Sequence, residues 1–109
     1  MLSKANRLKG KVNFDLVFKK GEKKYSPYFV VYRYLNPANT DLPAQIGIVT
    51  SKKVGGATVR NLARRKISAA IAQILTQFKP SFLYVIIAIK GVDKVKVLDI
   101  QNELSKLFN

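Results

Sequence analysis

The 109-residue chain has no cysteine, no histidine and no tryptophan, and its 20 lysines and arginines face only six carboxylate residues. The missing cysteine excludes disulfides and thiolate metal sites. Without histidine or cysteine the commonest general base and the strongest nucleophile are absent, so catalysis by the protein is not expected and no catalytic residue is assigned. Among the scattered carboxylates, Asp99 and Glu103 stand one helical turn apart near the C-terminus. That pair reads as a solvated helix face, and no metal ligand is assigned. No apolar run is long enough to span a membrane, and Met1 to Phe14 is basic and polar with no signal-peptide core. The expectation is a cytoplasmic protein with no membrane partner.

What the chain has in abundance is positive charge, +14 in all, together with 48% hydrophobic residues, enough for one folded domain over 1–109. The charge is uneven. Residues 1–66 hold 15 Lys or Arg against Asp15, Glu22 and Asp41, so +12 of the +14 lies there. A binder of nucleic acid gains from such asymmetry by releasing counterions, with a salt slope of about 0.9 per duplex phosphate neutralised. Polyanion binding is the favoured class.

The stretch from Ser51 to Lys66 concentrates this charge: Lys52, Lys53, Arg60, Arg64, Arg65 and Lys66, with no acid among them. Gly55 and Gly56 allow a sharp turn, and Thr58 is a candidate helix N-cap. Val59, Ala63, Ile67, Ala70, Ile71, Ile74 and Phe78 then recur at spacings of three and four, the apolar stripe of a helix ending near Phe78, before Lys79-Pro80-Ser81. Arg60, Asn61, Arg64, Arg65 and Ser68 share an arc of roughly 140° beside that stripe. Arginine grips phosphate oxygens with a planar fork, so this face suits a folded polyanion better than a merely solvated one.

Along the rest of the chain, residues 1–12 read as a basic extended arm anchored by Leu8. Asn13 can cap a helix to about Lys20 with Gly21 as its stop, and Phe14, Val17 and Phe18 form its apolar face. By spacing alone Phe14 and Phe18 are core residues. A short strand is expected near 23–26, and a longer one over Tyr28 to Leu35. Period-two alternation places Tyr28, Val30, Tyr32 and Tyr34 on one face of it, three tyrosines together, and Phe29, Val31, Arg33 and Leu35 on the other. After a turn-rich loop over 36–43 come strands over 44–51 and 82–89, the latter apolar on both faces. A last helix carries the stripe Val97, Ile100, Leu104, Leu107 and Phe108.

The run Lys53-Val54-Gly55-Gly56-Ala57-Thr58-Val59-Arg60-Asn61 followed by Arg64-Arg65 resembles the bacterial ribonuclease P protein subunit. So does Asn6-Arg7-Leu8-Lys9 followed by Phe14, Val17-Phe18 and Gly21. Two positions depart from the family pattern. Leu62 stands where a second arginine is usual, and Ser68 where a later one is; Lys66 could restore a charge, from the far side of the arc. The resemblance implies an α+β domain of αβββαβα order, with a mixed central sheet and a left-handed βαβ crossover, the fold also found in a domain of a small-subunit ribosomal protein. It implies one protein subunit per catalytic RNA, docked through Lys52, Lys53, Arg60, Asn61, Arg64 and Arg65. A second, separate site formed by Phe14, Phe18, Tyr32 and Ser51 would hold the single-stranded 5′ leader of precursor tRNA, with Tyr32 on the cleft wall opposite Phe18. Val49 lies where relatives often carry a small hydroxyl residue. Hydrolysis would fall to Mg²⁺ bound mainly by the RNA. A ribosomal protein or general RNA chaperone, and a DNA-compacting protein, are the readings that compete with it on charge alone.

Overall fold

A strand with apolar side chains on both faces needs cover on both, and β4 (Phe82–Ala88) has that composition. The computed structural model describes residues 4–35 and 42–108, and places β4 inside a four-stranded sheet of order β1-β2-β4-β3. The remaining strands are β1 (Glu22–Tyr25), β2 (Phe29–Leu35) and β3 (Gln45–Val49). β2 pairs antiparallel with both β1 and β4, while β3 runs parallel to β4 with Ile46 beside Tyr84 and Ile48 beside Ile86. A parallel pair needs a crossover, which here contains α2 (Ala57–Gln73). With α1 (Lys11–Lys20) and α3 (Val97–Leu107) the order is αβββαβα, the expected single α+β domain. Residues 1–3 of the predicted arm and 36–41 of the predicted loop lie outside the described residues.

Alternation along β4 divides the core in two. Tyr84, Ile86 and Ala88 join a larger cluster with Phe29, Val31, Ala63, Ile67, Ile71, Ile100 and Leu104, so α2 and α3 cover that face. Leu83 and Val85 join a smaller cluster with Leu8 and Val17, under α1. The predicted stripe of α2 is buried along its length, from Ala63 to Phe78. Each large aliphatic side chain so buried contributes roughly 1.5–3 kcal/mol.

The ends of the helices differ from expectation. α2 stops at Gln73, and Leu75–Gln77 form a 3₁₀ turn that brings Phe78 against Tyr84 and Phe108, with ring centroids 4.9 and 4.7 Å away. An apolar period cannot separate 3.6 from 3.0 residues per turn over one last turn. Neither predicted side-chain cap forms. Asn13 and Thr58 lie inside their helices, which start after Gly10 and Gly56; the Asn13 amide instead donates to the Lys9 carbonyl at 2.8 Å. Gly21 does close α1, its N–H bonding the Val17 carbonyl at 2.8 Å. A Cβ there would lie 2.5 Å from the Val17 carbonyl oxygen and 2.8 Å from that of Arg33, so the last turn of α1 and the close approach of β2 together require glycine.

Two further corrections concern side chains. Tyr28 precedes β2 and packs on the larger cluster, whereas Tyr32 and Tyr34 pack on the smaller, so the three tyrosines do not share a face. Lys66 is no spare cation. Its ammonium donates to the carbonyls of Asp93 and Val95 at 2.7 and 2.9 Å, clasping the turn Val92–Lys94 to α2.

Losing charged hydrogen bonds to two backbone carbonyls costs about 2 kcal/mol or more. Lys66→Met should therefore lower the midpoint of thermal unfolding, followed by circular dichroism, by about 10 °C.

Candidate nucleic-acid interface

β3 is an edge strand, and the chain on either side of it builds the two candidate surfaces. On its N-terminal side, a 3₁₀ turn at Lys4–Asn6 leads the arm onto the strand. The Asn6 amide donates to the Ala44 carbonyl at 2.8 Å, the Leu8 N–H bonds the Ile46 carbonyl at 3.1 Å, and Leu8 is buried. The arm is thus docked along the edge rather than simply extended, and it leads into α1 with its aromatic face.

Beyond β3, Ser51 to Val54 form a turn closed by the Val54 N–H on the Ser51 carbonyl at 3.0 Å. Val54 is buried and holds the turn down, which leaves Ser51, Lys52 and Lys53 exposed. α2 follows. Its first turns bring Arg60, Asn61, Arg64 and Arg65 to one side, as the helical arc required. Thr58, Asn61, Arg64 and Arg65 line an open concavity of about 460 Å³; Arg60, Asn61, Arg64 and Ala57 line a second of about 190 Å³. Arg64 and Arg65 are exposed. Arg64 is also fixed, donating from Nη2 to the hydroxyl of buried Thr50 at 2.7 Å. The Nε of Arg60 is buried with no hydrogen-bond partner among the described residues, an arrangement that costs about 1–3 kcal/mol. Leu62 is half-buried beside this cationic array.

On the opposite face of the sheet, Phe18 and Tyr32 meet edge to face, ring centroids 5.1 Å apart and planes at 90°. They form one continuous wall, not the two facing walls expected from the sequence. Phe18 keeps 39% of its surface exposed. Phe14, one turn earlier, lies over Gly47 of β3, where a Cβ would come within 2.5 Å of its ring. Val49 joins this cluster, while Ser51 lies two residues past it in the turn.

The two surfaces are not separate. A groove of about 310 Å³ along the β3 edge is lined by Arg7, Phe14, Ile46, Ile48, Arg64 and Ser68. Phe14 belongs to the aromatic side and Arg64 to the cationic side, so the two share this channel. Ser68, a departure from the family pattern, stands in it.

The sequence reading missed Thr50 and Gly47, which set the positions of Arg64 and Phe14, and it missed Lys23 and Tyr25. Pairing of Lys23 with Tyr32 across β1 and β2 puts the lysine ammonium 5.4 Å from the Tyr32 ring and 5.1 Å from that of Tyr25. The Tyr25 side chain first, then that of Tyr32, raises the pKa of this ammonium by hydrogen bonding. Period-two alternation in so short a strand was the available signal.

Comparison with known proteins gives a family match over residues 2–109, to a model described as Ribonuclease P. The ribonuclease P protein component of Bacillus velezensis is 34% identical over 107 residues, 98% of this chain and 90% of that protein. The solved RNase P protein of Staphylococcus aureus superposes with a TM-score of 0.78 at 30% identity, covering 97% of this chain and all of that one. That of Thermotoga maritima gives 0.79 at 27%, covering 94% of each chain.

A side chain forced against a packed ring costs about 1–3 kcal/mol where the ring cannot move away. Gly47→Ala should lower the unfolding midpoint by up to about 10 °C, and by much less in a Phe14→Ala background, because the clash is with that ring, which lies beside an open groove. Equal losses in both backgrounds would place the cause elsewhere.

Proposed function

The chain belongs to the ribonuclease P protein family, and from that membership we propose how its two surfaces divide the work of a ribonucleoprotein. It is an RNA-binding subunit in tRNA processing, and its partner is the ribonuclease P RNA. Arg60, Asn61, Arg64 and Arg65, helped by Lys52 and Lys53, dock on that RNA, one protein to one RNA. Phe14, Phe18 and Tyr32, with Ser51 at the rim, hold the single-stranded 5′ leader of precursor tRNA. The observation that supports this division is the groove at the β3 edge, lined by Arg64 from the cationic surface and Phe14 from the aromatic one, where the two RNAs would meet.

The chemistry of each surface suits its role. Arginine forks bind phosphate oxygens bidentately, and Arg64, already fixed on Thr50, loses little freedom in doing so. Rings that stack on any base contribute about 1–3 kcal/mol per base without demanding a sequence, as a subunit serving many precursors needs. Positive charge between two RNAs lowers their repulsion. Among the described residues no three His, Cys, Asp or Glu side chains gather where they could hold a metal ion. We assign the Mg²⁺ and the hydrolysis it supports to the RNA, and place the protein with that RNA in the cytoplasm. The described residues include no helix long and apolar enough to cross a membrane.

Reconstitution with a bacterial ribonuclease P RNA should give faster cleavage of precursor tRNA at low Mg²⁺ than the RNA alone; no gain would sink the assignment. In filter binding, Arg65→Ala should weaken association with that RNA and flatten the salt slope by about one unit. Phe18→Ala should raise the Kd of the assembled enzyme for leader-bearing precursor by about fivefold or more and leave mature tRNA unaffected.

A further inference from the structure

The aromatic wall does not end at Tyr32. Lys23 sits opposite Tyr32 in the β1–β2 register and carries its ammonium over both the Tyr32 and the Tyr25 rings, at 5.4 and 5.1 Å. Tyr32 in turn meets Phe18 at 5.1 Å. Phe18, Tyr32, Lys23 and Tyr25 are therefore a continuous row of ring, ring, cation and ring across one face of the sheet. Tyr25 is 66% exposed, so its ring is open to a partner. The residues between follow the other face: Lys24 donates to the Leu107 carbonyl at the end of α3, and Glu22 pairs with Arg33 at 3.0 Å. That ion pair turns the acid of β1 away from the row, so Lys23 keeps its charge available.

The row also has a direction. Strand order places β1 and β3 on opposite edges of the sheet, three strand spacings or about 14 Å apart. The groove shared with the cationic helix lies at the β3 edge, and Tyr25 at the β1 edge. An RNA strand entering from the groove passes Phe14, then Phe18 and Tyr32, and reaches Lys23 and Tyr25 last.

We infer that Lys23 and Tyr25 extend the leader track, Tyr25 stacking a leader nucleotide farther from the cleavage site than those meeting Phe18 and Tyr32, and Lys23 holding the phosphate between them. The inference rests on the leader reading proposed above and deepens it. It makes the β1 edge a determinant of how leader length, rather than leader sequence, affects binding. A ring stacks on every base, and an ammonium meets every phosphate.

The test uses the enzyme reconstituted with its RNA and precursor tRNAs whose leaders are shortened one nucleotide at a time. Tyr25→Ala should weaken binding of long-leader precursor by about fivefold, the lower end for one stacked base given its exposure. That loss should vanish at a leader length where Phe18→Ala still shows its full effect. Tyr25→Phe should behave as wild type, and Lys23→Ala should flatten the salt slope by about 0.7, the single-strand value for one phosphate. Unchanged thermal unfolding of the variants would tie any loss to binding. If Phe18→Ala depends on the leader while Tyr25→Ala equals wild type at every length, the extension is overturned and the leader cleft stands. If Tyr25→Ala loses equally with leaderless tRNA, the extension is likewise overturned. If Phe18→Ala shows no dependence on the leader, the cleft itself is wrong.

Discussion

Parallel pairing of β3 with β4 puts a buried strand in the middle of the sheet and leaves its partner on the edge, and the placement of both candidate surfaces follows from that pairing. β4 is apolar on both sides, so helices must cover both faces of the sheet. The crossover needed to join parallel strands starts at the end of β3, which fixes the turn with Lys52 and Lys53 and the first turns of α2 beside that edge. The N-terminal arm closes part of the same edge through Leu8 on Ile46 and then delivers α1 to the other face. A cationic helix and an aromatic helix thus meet across one strand only because that strand has no outer neighbour for most of its length.

Within this frame small residues do the positioning. Gly47 has no side chain, and the ring of Phe14 takes the space. Thr50 spends its hydroxyl on Arg64 and turns a flexible cation into a fixed one. Lys66, whose neighbours Arg64 and Arg65 on α2 are exposed, is drawn into the clasp on Asp93 and Val95. Charge counted along the helix therefore overstates what is available to a partner.

The elements were legible in the sequence wherever one physical demand dominated. The stripe of α2, the two-faced apolar run of β4 and the glycine stop of α1 each follow from burial or close approach. The ends of helices were less so, since Gly10 and Gly56 outcompeted Asn13 and Thr58 as starting points, and a 3₁₀ turn imitated a fourth helical turn before Phe78. At the site, the arc of Arg60, Asn61, Arg64 and Arg65 could be drawn on a helical wheel because those residues belong to one element. The meeting of Phe18 with Tyr32, of Phe14 with Gly47, and of Lys23 with two rings could not. Each joins separate elements, and register between strands and helices is set by packing that no local pattern encodes.

The groove at the β3 edge carries one more implication. A channel lined by both Arg64 and Phe14 would give the two RNA ligands proposed above a common boundary. On the proposed reading, occupancy by the large RNA and by the leader are linked equilibria, and linkage is reciprocal: whatever factor the first contributes to the second is returned in full. A leader whose hold the large RNA strengthens must strengthen the hold of the protein on that RNA by the same factor, and one whose hold it weakens must loosen it equally, so substrate and particle assembly would report on each other.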